Sequence, residues 1–86
     1  MAEIPKLRKK VDEIDDQILA ALCERVKVCR EIGSAKKKQG KPVRDTSRET
    51  EVFRRIKEKS AEFGLNPVQI ERVYREIVNM CSAVQE

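Results

Sequence analysis

Two cations interrupt a helical stripe that is otherwise apolar. The stripe recurs at steps of three and four residues, the spacing of one buried helix face, and comprises Leu7, Val11, Ile14, Ile18, Ala21/Leu22, Val28/Cys29, Ile32 and Ala35. Arg25 falls in its middle, and Lys36, eleven residues later, lies within roughly 20° of the same face. An unpaired guanidinium is costly to bury. We therefore predict that the two cations line a pocket for a small anion.

Two further polar residues lie on apolar faces. Glu49 heads the face of a second predicted helix, and Gln85 ends the face of a third. Taken singly, such residues are typical of frayed helix ends or of long side chains that reach solvent. Two cations, one acid and one neutral amide together predict a polar site.

These residues must be positioned by helices, because the chain has no alternating β pattern. The first helix is predicted from about Pro5 to Gln39, where Gly40-Lys41-Pro42 ends it. It is roughly 50 Å long at 1.5 Å per residue. The second begins at the Thr46-x-x-Glu49 capping box, with Asp45 as a rival N-cap, and runs to about Phe63 before Gly64.

The third helix is predicted to open at Asn66-Pro67 and to continue to the end of the chain. The predicted buried face of the second helix carries Glu49, Val52, Phe53, Ile56, Ser60 and Phe63. That of the third carries Ile70, Val73/Tyr74, Ile77/Val78, Cys81 and Val84/Gln85. We expect an all-α fold, one long and two shorter helices in a single domain of residues 1–86.

The length of the first helix predicts a partner chain. A chain of 86 residues buries only about 60% of its unfolded surface and cannot cover so long a stripe by itself. Arg8 lies about 25 Å from Arg25 along the helix, too far to share one small ligand. Two antiparallel copies, symmetric about residue 22, would place Arg8 opposite Lys36 of the other copy. We expect a homodimer with shared sites.

Composition argues against several other classes of protein. Nucleic-acid binding is disfavoured because 19 basic residues are interleaved with 15 acidic ones, and Lys36-Lys37-Lys38 lacks neighbouring aromatics. Three cysteines, Cys23, Cys29 and Cys81, without C-x-x-C spacing or any His, predict neither a metal site nor a disulfide framework. They favour a reducing compartment, and we expect a cytoplasmic protein. No apolar run is long enough to span a membrane.

Four segments of the chain form a specific set: Leu7-Arg8-x-x-Val11-Asp12-x-Ile14-Asp15, Leu22-x-x-Arg25, Ile32-Gly33-x-x-Lys36 and Pro42-Val43-Arg44-Asp45-x-x-Arg48-Glu49. With these segments, nearly the whole chain, from about Ile4 to Gln85, resembles the all-helical, AroQ-type chorismate mutases. The resemblance implies an intertwined homodimer of three-helix protomers. It also implies a Claisen rearrangement of chorismate to prephenate that needs no cofactor, nucleophile or general base.

The resemblance also implies roles for the polar residues. Arg25 and, from the other subunit, Arg8 would pair with the two substrate carboxylates. Lys36 would reach a carboxylate and the ether oxygen, and Gln85 would donate to that oxygen from the opposite side. Catalysis would consist of holding the reactive conformer and stabilising developing negative charge.

The remaining roles concern the ring hydroxyl and one carboxylate. Glu49, with the backbone at Asp45, would hold the hydroxyl, and Arg48 would support the acids and the pocket. Where the family often has Ser, this chain has Cys81, a poor donor; Ser82 is about 100° away from that face.

Two alternatives share much of the pattern. One is a lyase of the same fold that removes pyruvate from isochorismate. The other is a non-catalytic helical dimerisation or regulatory module, whose seam would be aliphatic at Arg25, Lys36 and Gln85. The segment Asp45-x-x-Arg48-Glu49 favours the mutase.

Overall fold

The computed structural model describes residues 3–86, which form three α-helices. They are α1 (Glu3–Gln39), α2 (Thr46–Glu62) and α3 (Pro67–Ala83). Within these residues there is no strand, and no helix is both long and apolar enough to cross a membrane. The prediction of an all-helical chain with one long and two shorter helices is confirmed. α1 begins two residues before the predicted start at Pro5, which lies in the first turn, where its missing N–H is not needed.

The start of α2 is set by Asp45. Its carboxylate accepts a hydrogen bond from the Arg48 backbone N–H at 3.0 Å, which satisfies one of the unpaired donors of the first turn. The capping box headed by Thr46 is therefore wrong, since Thr46 is already the first helical residue. Gly64 follows the helix with φ +71°, a left-handed conformation that favours glycine.

α3 begins as predicted and ends earlier than predicted. The Asn66 side chain accepts from the backbone N–H groups of Val68 and Gln69 at 2.9 and 3.2 Å. The helix ends at Ala83 and does not continue to the end of the chain. Gln85 follows in a turn, in which its N–H donates to the Ser82 carbonyl at 3.1 Å.

α3 packs against both α1 and α2, and the small core lies between them. The apolar side chains buried there are Cys29, Ile56, Val78 and Cys81. On the predicted face of α2, Phe63 is wrong: it is 76% exposed and lies one residue past the end of the helix. Of the alternatives Val73 and Tyr74 on α3, Val73 is 54% exposed and Tyr74 is partly buried.

The N-terminal half of α1 has no cover within the protomer. Every residue from 3 to 21 is exposed, and α3 with the turn after it covers α1 around Cys29 and Gly33. The radius of gyration is 16.3 Å, against about 12 Å for a compact chain of this length. The predicted stripe is thus an exposed apolar surface along this half, which is typical of a protein–protein interface.

Candidate active site

A cavity of about 220 Å³ lies where the second half of α1 meets the start of α2 and the end of α3. Its lining includes all of the predicted site residues except Arg8. The full set of residues that line the cavity is Arg25, Cys29, Ile32, Lys36, Val43, Asp45, Arg48, Glu49, Val52, Val78, Cys81, Ser82 and Gln85. Ser82 was expected to point away and lines the cavity as well.

Lys36 and Gln85 are in direct contact at one end of the cavity. The Lys36 ammonium donates to Gln85 Oε1 at 2.8 Å and also to the Val43 carbonyl. Gln85 Nε2 donates to the Cys81 carbonyl at 3.2 Å, and only 9% of the residue is exposed. The amide near the end of the chain is therefore held by two hydrogen bonds and is not frayed.

Arg25 is half-buried against two thiols. Its Nη1 lies 2.7 Å from Cys81 Sγ and 3.9 Å from Cys29 Sγ. Among residues 3–86, neither Arg25 nor Lys36 forms an ion pair with a carboxylate. Two cations without an acidic partner line the same cavity, which favours an anionic ligand there.

The thiol of Cys29 does not supply the missing negative charge. Burial raises the pKa of this thiol to about 11, and the hydrogen bond and charge of Cys81 act in the same direction. The opposing effects of Arg25 and Lys36, which lower this pKa, are smaller. The Cys29 thiol therefore stays protonated at neutral pH and does not neutralise the charge of Arg25.

Glu49 lines the cavity, and its carboxylate forms an ion pair with Arg44. This pair was not predicted from the sequence. Arg44 Nε and Nη2 lie 3.0 and 3.2 Å from the two Glu49 carboxylate oxygens, and Nη2 also donates to Asn79 Oδ1 at 3.1 Å. The hydrogen bond to Glu49, followed by its charge, raises the pKa of the Arg44 guanidinium. The available signal was an arginine just before the N-cap, five residues from an acid in the first turn.

Arg48 and Arg8 differ from the other predicted site residues in their position relative to the cavity. Arg48 lines the cavity, but its guanidinium pairs with Glu51 at 3.0 Å, where both side chains are more than half exposed. Arg8 lies on the uncovered half of α1, about 25 Å from Arg25 at the helical rise. A single protomer therefore does not bring Arg8 to the cavity.

The fold is an all-helical protomer in which Arg25 and Lys36 line one cavity. The family model of chorismate mutase type II matches residues 7–86, and the chain belongs to this family.

Two named relatives and one solved structure are similar to this chain. A bifunctional chorismate mutase/prephenate dehydratase of Aquifex aeolicus is 36% identical over all of this chain, which spans only 25% of that protein. A chorismate mutase of Methanocaldococcus jannaschii is 26% identical over 98% of this chain and 85% of its own length. A solved structure, a conserved hypothetical protein from Pyrococcus furiosus, superimposes with a TM-score of 0.81 at 31% identity and covers 100% of this chain and 99% of its own.

Proposed function

We propose that this chain converts chorismate to prephenate by a Claisen rearrangement, as a step in Phe and Tyr biosynthesis in the cytoplasm. One observation carries the proposal: Arg25 and Lys36, both without an acidic partner, share one cavity with the Gln85 amide in a chain of this family. In the reaction the ether C–O bond breaks as a new C–C bond forms within the same molecule. Negative charge grows on the ether oxygen, so the site needs positive charge and hydrogen-bond donors there.

The side chains at the end of the cavity can provide those donors. The Lys36 ammonium has three N–H donors, of which two are used by Gln85 and Val43. Gln85 Nε2 has two, of which one is used by the Cys81 carbonyl. Each group thus retains one proton for the ether oxygen or a neighbouring carboxylate. Arg25 would bind a substrate carboxylate through its remaining N–H groups.

Of the two arginines expected to pair with the substrate carboxylates, Arg25 and Arg8, the protomer brings only Arg25 to the cavity. We assign the pairing with the second carboxylate to Arg8 of a second copy, packed antiparallel along the exposed stripe of α1. The large exposed side chains of this stripe include Leu7, Val11, Ile14 and Ile18, each about half exposed. Covering them with an identical stripe buries apolar surface on both chains and brings each Arg8 toward the other chain's Lys36.

A dimer is the first expected result of this proposal. Sedimentation equilibrium should give about twice the 9.9 kDa protomer mass at micromolar concentration, because the exposed stripe favours association. Leu7→Glu together with Ile14→Glu should shift the protein toward monomer and abolish activity, since both changes place charge in the interface. A folded, active monomer of the unmodified chain would contradict the shared site.

The reaction itself is tested by the ultraviolet absorbance of chorismate. The purified chain should abolish the diene absorbance of chorismate and produce prephenate, and no added metal or cofactor should be needed. Isochorismate is the control substrate. Pyruvate release from isochorismate, without conversion of chorismate, would replace the mutase with the lyase of the same fold, and no reaction with either would favour a dimerisation module.

Replacing the Cys81 thiol by a hydroxyl should preserve substrate binding. Cys81 Sγ contacts Arg25 at 2.7 Å, and a serine hydroxyl there is both a better acceptor for the guanidinium and a better donor to a carboxylate. We expect Cys81→Ser to keep KM or lower it by up to about tenfold, the value of one hydrogen bond. Steady-state kinetics measure this, with Cys23→Ser as the control for loss of an exposed thiol. A large loss of kcat with the fold intact would give the thiol a role of its own.

A further inference from the structure

At Gly33, α1 lies very close to the segment after α3. A Cβ atom built on Gly33 would lie 2.9 Å from Gln85 Cα and 3.0 Å from its Cβ and Cγ. Carbon atoms in contact are normally about 3.5–4.0 Å apart. Any side chain at position 33 would therefore push against both the backbone and the side chain of Gln85.

The backbone conformation of Gly33 does not explain the glycine. The described glycines with positive φ are Gly40 and Gly64, whereas Gly33 lies within α1. Glycine is a poor residue for a helix interior, and alanine would be better there. The close approach of Gln85 accounts for the absence of a side chain.

The displaced group would be Gln85 and not the helix. Gln85 lies beyond the last residue of α3, where a turn hydrogen bond to Ser82 holds its backbone. α1 is a continuous helix at this point. A methyl group at position 33 would thus move Gln85 away from α1 and lengthen its 2.8 Å hydrogen bond to Lys36.

We propose that Gly33 is a positioning residue, which sets the place of the Gln85 amide in the cavity by allowing it to lie directly against α1. The effect on rate rests on the proposed function, because it acts through the hydrogen bond that Gln85 would donate to the ether oxygen. The effect on the position of Gln85 does not depend on the proposed function.

The kinetic test compares Gly33→Ala, Gln85→Ala and the double variant. Misplacing a donor by about 1 Å costs up to about 100-fold, so we expect Gly33→Ala to lower kcat by roughly 10- to 100-fold with little change in KM. In the Gln85→Ala background, the donor is already gone, and Gly33→Ala should change kcat by less than about twofold. Ser34→Ala, at the exposed neighbouring position, is the control and should match the wild type. An unchanged kcat in Gly33→Ala, or an equal loss in both backgrounds, would overturn the proposal.

The structural test needs no activity. The side-chain amide signal of Gln85 in a ¹⁵N correlation spectrum is assigned by its loss in Gln85→Ala. It should shift toward the position of a solvent-exposed amide in Gly33→Ala and stay in place in Ser34→Ala. In the wild type, nuclear Overhauser effects should join the Gly33 α protons to the Gln85 β and γ protons. Their absence would overturn the proposal even if Gly33→Ala failed to fold. A chain that shows these effects but does not convert chorismate would refute the proposed function and leave the positioning role intact.

Discussion

Homodimers of Arg8→Ala and of Arg25→Ala should each be nearly inactive, and an equal mixture of the two should recover about a quarter of wild-type activity. Each guanidinium is proposed to pair with one substrate carboxylate. Loss of one partner of a buried charge pair costs about 2–5 kcal/mol, or roughly 30- to 5,000-fold. In a mixed dimer both lesions fall in one site and the other site is intact. Half of the dimers formed at random are mixed, and each has one working site.

The measurement is chorismate consumption before and after subunit exchange, with exchange confirmed by native mass spectrometry. Arg54→Ala is the matched control for loss of an arginine, because the Arg54 side chain is 65% exposed and its guanidinium pairs with the equally exposed Glu58. It should retain wild-type activity. If exchange is complete and no activity returns, Arg8 and Arg25 serve the same pocket from one chain, and the shared site is wrong.

Replacing the Gln85 amide by a carboxyl should make the reaction dependent on acid. An amide donates a hydrogen bond at any pH, whereas a carboxyl donates only while it is protonated, with an unperturbed pKa of about 4.3. At pH 7 the carboxylate of Gln85→Glu would repel the developing charge and pair with the Lys36 ammonium, 2.8 Å from the present Oε1. We expect a loss of about 100- to 1,000-fold in kcat at pH 7. Activity should return as the pH falls through the pKa of the new carboxyl.

Gln85→Ala is the control that separates loss of the hydrogen-bond donor from titration of the new carboxyl. It removes the donor without adding a titratable group, so it should lose activity to a similar extent and stay inactive in acid. The wild type should vary little from neutral pH into the acid range in which its fold, followed by circular dichroism, is intact. A flat profile for Gln85→Glu together with full activity of Gln85→Ala would show that Gln85 only fills the end of the cavity.

Local sequence patterns were sufficient for the helices and for most of the candidate site. Apolar spacing predicts helix faces, and Asn66-Pro67 and Gly64 mark helix ends, through interactions within a few residues, which is why the number and order of the helices agree with the prediction. Arg25 and Lys36 were predicted as site residues because an unpaired cation on an apolar helix face is costly to bury. Where two signals competed, as Asp45 and Thr46 did for the N-cap, the pattern alone did not decide between them.

Contacts between distant segments were decided only by the tertiary structure. The pairing of Arg44 with Glu49 and Asn79, the exposure of Phe63 and the contact of Gly33 with Gln85 depend on how α1, α2 and α3 pack. Periodicity predicts that a face is apolar and does not specify what covers it. The stripe of α1 shows this limit: its spacing continues along the helix, yet the protomer covers it only around Cys29 and Gly33, where α3 packs against α1, and leaves residues 3–21 exposed.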